Sequence, residues 1–500
     1  MKNYLLTILL LIPLFTFAQD SNIFHGRDFW KSSPDVASVK AAIEKGNDPV
    51  ALTSSAFDAI SYAILENAPL ETIEYLLSLE GNGVDKMTHD KRNYLMWAAY
   101  KGNTDLMKVL IDMGSDTEIM DDHGYNVITF AAVGGVEDTK VYDVILSTGT
   151  KASDGNRYGA NALLLLAPNL KDKKLIEYFQ SKGLDIHSTD KDGNGMFNYA
   201  ARRGNMETLK MLMKLGLDHK TVSKKGENAV MFASSGSRGN VNGIEVYEFL
   251  EELGLEINVV SKEGRTPLHN IAYRVKDEAI LNYFLEKGVD PNQVDEDGNT
   301  AFLNALRYNN LDFAKLVHAK VSDINLTNKD GYSALSYAVM RNSQEAFDML
   351  MEGGADIKVN DKKGRNLVYH MFNAYSSRNK EAFQYFLSHA EKHKLNMTPV
   401  YEGGNTLAHL AVKEGEEELL AKALELGVNI NQKNEEGLTP LHLAAMQAKN
   451  KAMLDTLLGK GADKAILTDF DESAFDLANE NEVLTKTGVD LDFLKSSSQE

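Results

Sequence analysis

Residues 436–445 read Glu436-Gly437-Leu438-Thr439-Pro440-Leu441-His442-Leu443-Ala444-Ala445. Each part has a physical reason. The glycine tolerates a left-handed turn. The threonine oxygen can accept an orphan N–H at a helix start, and proline suits the first helical position. The leucine and the alanine pair then follow at helical spacing. The phrase recurs, with substitutions, around turn positions Lys91, Gly124, Gly159, Gly193, Gly226, Gly264, Gly298, Gly331, Gly364, Gly404, Gly437 and Asp471, separated by 33 to 40 residues. A period near 33 marks a stack of small supersecondary units, not a set of independent globular domains.

Two residues after each turn stand Asn93, Asn126, Asn161, Gly195, Asn228, Thr266, Thr300, Ser333, Asn366, Thr406, Thr439 and Ser473, all from the set favoured at helix N-caps. Two further on come Leu95, Ile128, Leu163, Phe197, Val230, Leu268, Phe302, Leu335, Val368, Ala408, Leu441 and Phe475, which point into a core. Three more residues bring an alanine in most units, from Ala98 to Ala478, where a small side chain lets neighbouring helices approach. A break such as Gly102-Asn103 ends the first helix, and a second apolar-periodic segment such as Leu106–Ile111 follows. That segment stops at a glycine, as at Gly216, Gly288, Gly354, Gly427 and Gly461. Each unit is helix, turn, helix, then a hairpin.

These residues resemble the ankyrin repeat; Thr439-Pro440-Leu441-His442 and Thr266-Pro267-Leu268-His269 carry that family's signature. Two weaker units, near Asp28–Pro49 and Ala56–Asp85, precede the twelve, giving about fourteen units. The expected fold is all-α, one unbroken solenoid of helix pairs in which only neighbours touch. The resemblance implies that His269, His409 and His442 bond backbone near a hairpin, and that units lacking this histidine are less idealised.

The expected layout is a signal peptide over 1–18, degenerate repeats over 19–90, the array over 91–470, and a capping repeat with its tail over 471–500. Lys2, the apolar run Leu5–Phe17 and Thr16-Phe17-Ala18 form the leader, too short to span a bilayer. Export to the periplasm is the expectation, with secretion as the alternative. The formal charge is −19, and the chain has no cysteine, so no disulfide and no cysteine nucleophile enters the reading. Such an acidic balance, with no basic run, argues against nucleic acid.

Several segments imitate chemical sites. Asp190-Lys191-Asp192-Gly193-Asn194-Gly195 opens like an EF-hand loop, yet its twelfth position is Ala201 where a bidentate glutamate is needed. It also lies in phase with every other turn, so the hairpin reading is preferred. His389 and His393 share a helical face, but the metalloprotease pattern needs glutamate where Ala390 stands. Gly236–Gly243 lacks the Gly-Lys-Ser/Thr ending of a phosphate loop and reads as an insertion between helices. No catalytic residue, cofactor or metal is assigned.

By its register, the chain is expected to be a non-catalytic scaffold that binds a protein or peptide. The resemblance implies recognition by hairpin tips and the exposed ends of first helices, on a concave face. The expected tips are the residues after each turn, including Arg92, Tyr125, Ala160, Asn194, Arg265, Asn299, Tyr332, Arg365 and Leu438. The helix ends offer Tyr100, Arg202, Arg203, Tyr273, Arg274, Arg307, Tyr308 and Arg341. Tyrosine and arginine are hot-spot residue types. The register leaves two outcomes: an Arg/Tyr groove centred on Gly193–Gly331 for an acidic or extended segment, or arginines merely neutralised by carboxylates of adjacent units. A secreted effector or toxin-immunity partner is the alternative function.

Overall fold

A computed structural model describes residues 22–237, 239–486 and 488–496; the leader and the last four residues lie outside this range. The chain is built from pairs of short α-helices, and among the described residues the only extended pairing is isolated bridges such as Met120↔Asn126 and Thr327↔Ser333. It divides into two compact units: residues up to Asn242 with Glu248–Leu255, and Gly243–Tyr247 with Glu256 onwards.

All twelve residues from Asn93 to Ser473 read as caps are N-caps of first helices. In the first unit, helices Ala59–Leu65, Tyr94–Lys101, Val127–Val133 and Ala162–Leu166 pack in succession; in the second, Pro267–Ile271 begins a row running through Ala301–Arg307, Ala334–Met340, Leu367–Asn373, Leu407–Glu414 and Pro440–Gln447 to Ala474–Glu480. The alanines from Ala98 to Ala478 are buried at these contacts. So are the apolar residues from Leu95 to Leu441. Phe475, expected in the core, is only half-buried. It belongs to the last repeat, where Lys495 from the tail lies over its ring at 5.1 Å. The two weak leading units are present as Arg27–Lys31 with Val36–Glu44, and Ala59–Leu65 with Leu70–Leu77.

The twelve turn positions share one backbone feature: φ is positive at each, from Lys91 at 58° to Gly193 at 89°. The side chain three residues earlier holds the turn. Asp121, Asn156, Asp190, Ser223, Ser261, Asp295, Asn328, Asp361, Asn434 and Thr468 each accept the N–H of the residue after the turn, at 2.8–3.2 Å. Asp190, the would-be metal ligand, is spent this way: Oδ1 accepts from Asp192 and Asn194 N–H, and Oδ2 from the Tyr199 hydroxyl at 2.8 Å. Successive hairpins then join by backbone bonds, Lys191 N–H to Tyr158 O and Lys224 N–H to Asp192 O in the first unit, Lys329 N–H to Asp297 O and Lys362 N–H to Asp330 O in the second.

These joints explain why glycine dominates the turn beyond its φ. A Cβ on Gly331 would stand 2.6 Å from the Lys362 nitrogen and 2.8 Å from the Asp361 Cα. Lys91 and Asp471 are the two turn positions that carry side chains, at φ 58° and 61°.

Of the twelve first-helix caps from Asn93 to Ser473, one has no side chain to offer. Gly195 caps Met196–Ala201 without a side-chain bond, and the buried Asn198 Oδ1 has no partner. Asn198 holds the place of the signature histidine, whose ring nitrogen elsewhere meets the cap hydroxyl, as between Thr266 and His269 at 2.9 Å. Gly195 supplies no hydroxyl.

Two outcomes follow from this geometry. Gly354→Ala, at φ 85° with open space around it, should cost about 1–2 kcal/mol in urea unfolding for the left-handed backbone alone. Gly331→Ala should cost roughly 1–3 kcal/mol more for its overlap with the next hairpin. Gly195 sits at φ −90° with open space at its Cβ. Gly195→Ser should therefore stabilise the first unit by about 1 kcal/mol, capping the helix and giving Asn198 its donor.

Candidate functional site

The residue after the turn is not uniformly a solvent-facing tip. Arg265 is exposed there, and Tyr125, Tyr332 and Arg365 are half-buried. Arg92, Ala160, Asn194, Asn299 and Leu438, expected at exposed tips, are buried. Arg92 is the clearest correction: its guanidinium pairs with Asp121 and Asp90 at 2.8 and 2.9 Å and lies 4.3 Å over Phe130. The exposed tip is the residue before the turn, as at Tyr158, 58% exposed, and Phe470, 82% exposed. The sequence register held this signal, since these positions vary from Asp297 to Lys363 to Phe470 with no apolar rule.

The helix-end residues stand where the register puts them. In the first unit, Tyr100 is half-buried and stacks on Phe130 with centroids 5.0 Å apart. Tyr125 leans on the same ring at 6.5 Å, and burial raises its hydroxyl pKa while Arg202 opposes that shift. Arg202 is exposed and lies over Phe232 at 5.0 Å and Tyr199 at 5.6 Å. Arg203 donates to Asn169 Oδ1 at 2.5 Å.

In the second unit, Tyr273 and Tyr308 meet edge to face at 4.2 Å, 47% and 44% exposed. Arg274 covers Tyr273 at 5.1 Å and Arg307 covers Tyr308 at 5.7 Å. Arg341 Nε donates to the Arg307 carbonyl at 2.6 Å. Arg265 is tied to Asn270 Oδ1 at 2.6 Å, and Tyr332 accepts from Arg365 at 2.9 Å. Among the described residues, Arg202, Arg203, Arg265, Arg307 and Arg341 form no ion pair with a carboxylate. Neutralisation by carboxylates of adjacent units does not occur at these five.

The signature histidines bridge repeats. Thr266, Thr406 and Thr439 N–H donate to Nδ1 of His269, His409 and His442 at 3.0–3.2 Å, so each ring carries its proton on Nε2. Nε2 then donates to the next repeat's carbonyl, Asn299, Leu438 or Ile466, at 3.0–3.1 Å. Burial holds all three pKa values below the ordinary histidine value. His370 is buried as well; its Nε2 has no hydrogen-bond partner and lies 3.5 Å from Asp361, and burial pushes it down to about 4.

Family models described as ankyrin repeats match residues 60–156, 164–213, 239–328, 268–361 and 371–467. The chain belongs to the ankyrin-repeat family. Among curated proteins it is similar to human transient receptor potential cation channel subfamily A member 1, 24% identical over 70% of this chain and 35% of that protein. It is also similar to the B-cell lymphoma 3 protein homolog of Mus musculus, 29% identical over 42% of this chain and 45% of that one. The chain thus spans less than half the length of these relatives. A crystal structure of the human ASB11 ankyrin repeat domain aligns with a TM-score of 0.38 at 21% identity, over 46% of this chain and 99% of that domain. Ankyrin repeats mediate protein–protein interaction, and among the described residues no helix is long and apolar enough to cross a membrane.

The four histidines give a pH dependence with a defined sign. Unfolded histidine titrates near pH 6.5; the native rings bind protons less well, so the unfolded chain takes up more protons as the pH falls. Stability of the second unit should be intact above pH 6.5 and fall on acidification, by up to about 1.4 kcal/mol per pH unit per fully depressed histidine. Urea midpoints between pH 7 and 5 should show this decline, and His370→Phe should make it shallower.

Proposed function

We propose that this ankyrin array is a non-catalytic protein-binding scaffold whose polypeptide partner lies across the exposed ends of its first helices. The observation that carries the reading is a set of arginines without carboxylate partners in a chain of net charge −19. Each is stacked on an aromatic ring or tethered by a hydrogen bond, so a partner would meet cations already held in place. An acidic or extended segment complements them, since a guanidinium accepts a carboxylate with two parallel bonds. Nucleic acid does not fit the overall charge.

The leader-like first 18 residues support export, with the periplasm as the proposed location. Cell fractionation tests this: a processed chain in the periplasm agrees, whereas recovery from the medium favours the secreted effector or immunity-type reading.

Affinity purification of the processed chain with mass spectrometry tests the surface. Arg202→Ala with Arg203→Ala in the first unit, or Tyr273→Ala with Arg307→Ala in the second, should weaken retention of the partner at least tenfold, the scale of a lost hot spot. Thermal unfolding should move little, because these side chains are exposed. Undiminished retention by all four substitutions together would remove this surface from consideration.

A further inference from the structure

Asn205 caps the second helix of its repeat, Met206–Lys214, with Oδ1, which accepts from Glu207 and Thr208 N–H at 3.1 and 3.2 Å. Those bonds assign the oxygen, so the other end of the amide is a donor. Asn310 stands at the same register, twelve residues past Gly298 as Asn205 is past Gly193. Asn310 Nδ2 donates to two carbonyls of the preceding repeat, Ala272 and Val275, at 3.1 and 2.8 Å. By register, the matching carbonyls for Asn205 are those of Ala167 and Leu170. Both are engaged otherwise. The Ala167 carbonyl closes the 3₁₀ turn Ala167–Asn169 with the Leu170 N–H, and the Leu170 carbonyl accepts the Thr208 hydroxyl at 2.7 Å. Asn205 Nδ2 is left with no acceptor among the described residues.

Asn205 lines a cavity of about 350 Å³ within the first unit, together with Asn169 and Arg203. Arg203 Nη1 donates to Asn169 Oδ1 at 2.5 Å. A guanidinium can only donate, so this bond fixes which end of the Asn169 amide is oxygen and leaves Nδ2 as a donor. That nitrogen faces Gly135, also in the lining, where a Cβ would stand 3.7 Å from it. Asn169 Nδ2 and the remaining Arg203 N–H groups likewise have no acceptor among the described residues. The other charged groups of the lining, Lys171 and Glu137, pair with each other at 2.8 Å. The guanidinium therefore supplies the net charge of the cavity.

We propose that this cavity receives one Asp or Glu side chain of the polypeptide partner, its carboxylate held by Arg203, Asn169 Nδ2 and Asn205 Nδ2. The inference rests on the scaffold reading and names one subsite of it. Three donor groups with nothing to accept from them call for a ligand whose oxygens only accept, which distinguishes a carboxylate from an amide. The guanidinium strengthens the distinction, because a hydrogen bond between charged partners is about twice as strong as a neutral one. A doubly charged phosphate fits less well, since Glu137 brings a negative charge to the same lining. Both amides are oriented in advance, one by Arg203 and one by the helix cap, so binding has less left to order.

The test compares two hexapeptide pools on the immobilised full chain, one with Glu fixed at a central position and degenerate flanks, the other with Gln there. The wild-type chain should retain the Glu pool about tenfold better, the scale of a hydrogen bond to a charged group. Asn205→Asp keeps a favoured cap residue, so the helix start survives while a donor becomes a carboxylate. Asn169→Asp makes the same exchange and gives Arg203 an ion partner of its own. Each should cut the preference by about fivefold or more with the urea midpoint preserved. A preference that survives undiminished in either variant overturns this subsite and leaves the arginine surface standing. Equal retention of the two pools by the wild-type chain overturns the subsite and the acidic partner together.

Discussion

A single hydrogen bond underlies the repeat: in ten of the twelve hairpins the N–H after the turn is given to a short polar side chain three residues before it. In Asp361 one oxygen accepts from both Lys363 and Arg365 N–H, while the other takes the Arg365 guanidinium. The bond closes a hairpin that lacks a ladder of its own, and the closed hairpin offers one carbonyl to the next. Glycine at the turn then satisfies two demands together, a left-handed φ and room for the following backbone. Because every helix pair begins two residues past such a turn, the placement of the first helices, and of whatever they expose, depends on it.

The same bond explains what the sequence made legible and what it hid. The cap positions, the buried alanines and the turn itself repeat because each is dictated by backbone geometry, which is identical from repeat to repeat. Gly195 as a cap was legible; that it strands Asn198 Oδ1 was not, because the pairing of cap and third residue crosses a turn of helix. The helix-end residues such as Tyr273 and Arg307 were legible because both stand at the same offset from their caps, Thr266 and Thr300. Proximity to the turn suggested exposure for Arg92 and Asn194, yet both side chains are buried, and the exposed Tyr158 and Phe470 stand before their turns. The two-unit division near Gly243 has a visible correlate in the insertion at 236–243, where the spacing lengthens.

The buried histidines show how a signature becomes energetics. In Thr266-Pro267-Leu268-His269 the threonine N–H fixes the tautomer, and the tautomer fixes which ring nitrogen reaches Asn299. A protonated ring would have to abandon the first bond, so burial and hydrogen bonding both favour the neutral form. His370 occupies the next position along, out of reach of a cap hydroxyl, and its Nε2 faces only Asp361 across 3.5 Å. One residue of phase separates a satisfied histidine from an unsatisfied one.

Arginine at a first-helix end has a structural reason of its own, since a cation there complements the helix dipole by about 0.3–1 kcal/mol. That reason accounts for Arg307 in the last turn of Ala301–Arg307. It does not account for the tyrosines. The rings at Tyr273 and Tyr308 are about half exposed and stand against each other, and lysine would serve the dipole equally well. Planar guanidinium over an aromatic face, with Arg341 held to the Arg307 carbonyl, removes rotamer freedom before any partner arrives. Binding then forfeits less entropy per contact. Arg307 over Tyr308, with Arg341 tied to the Arg307 carbonyl, suits the recognition surface proposed above.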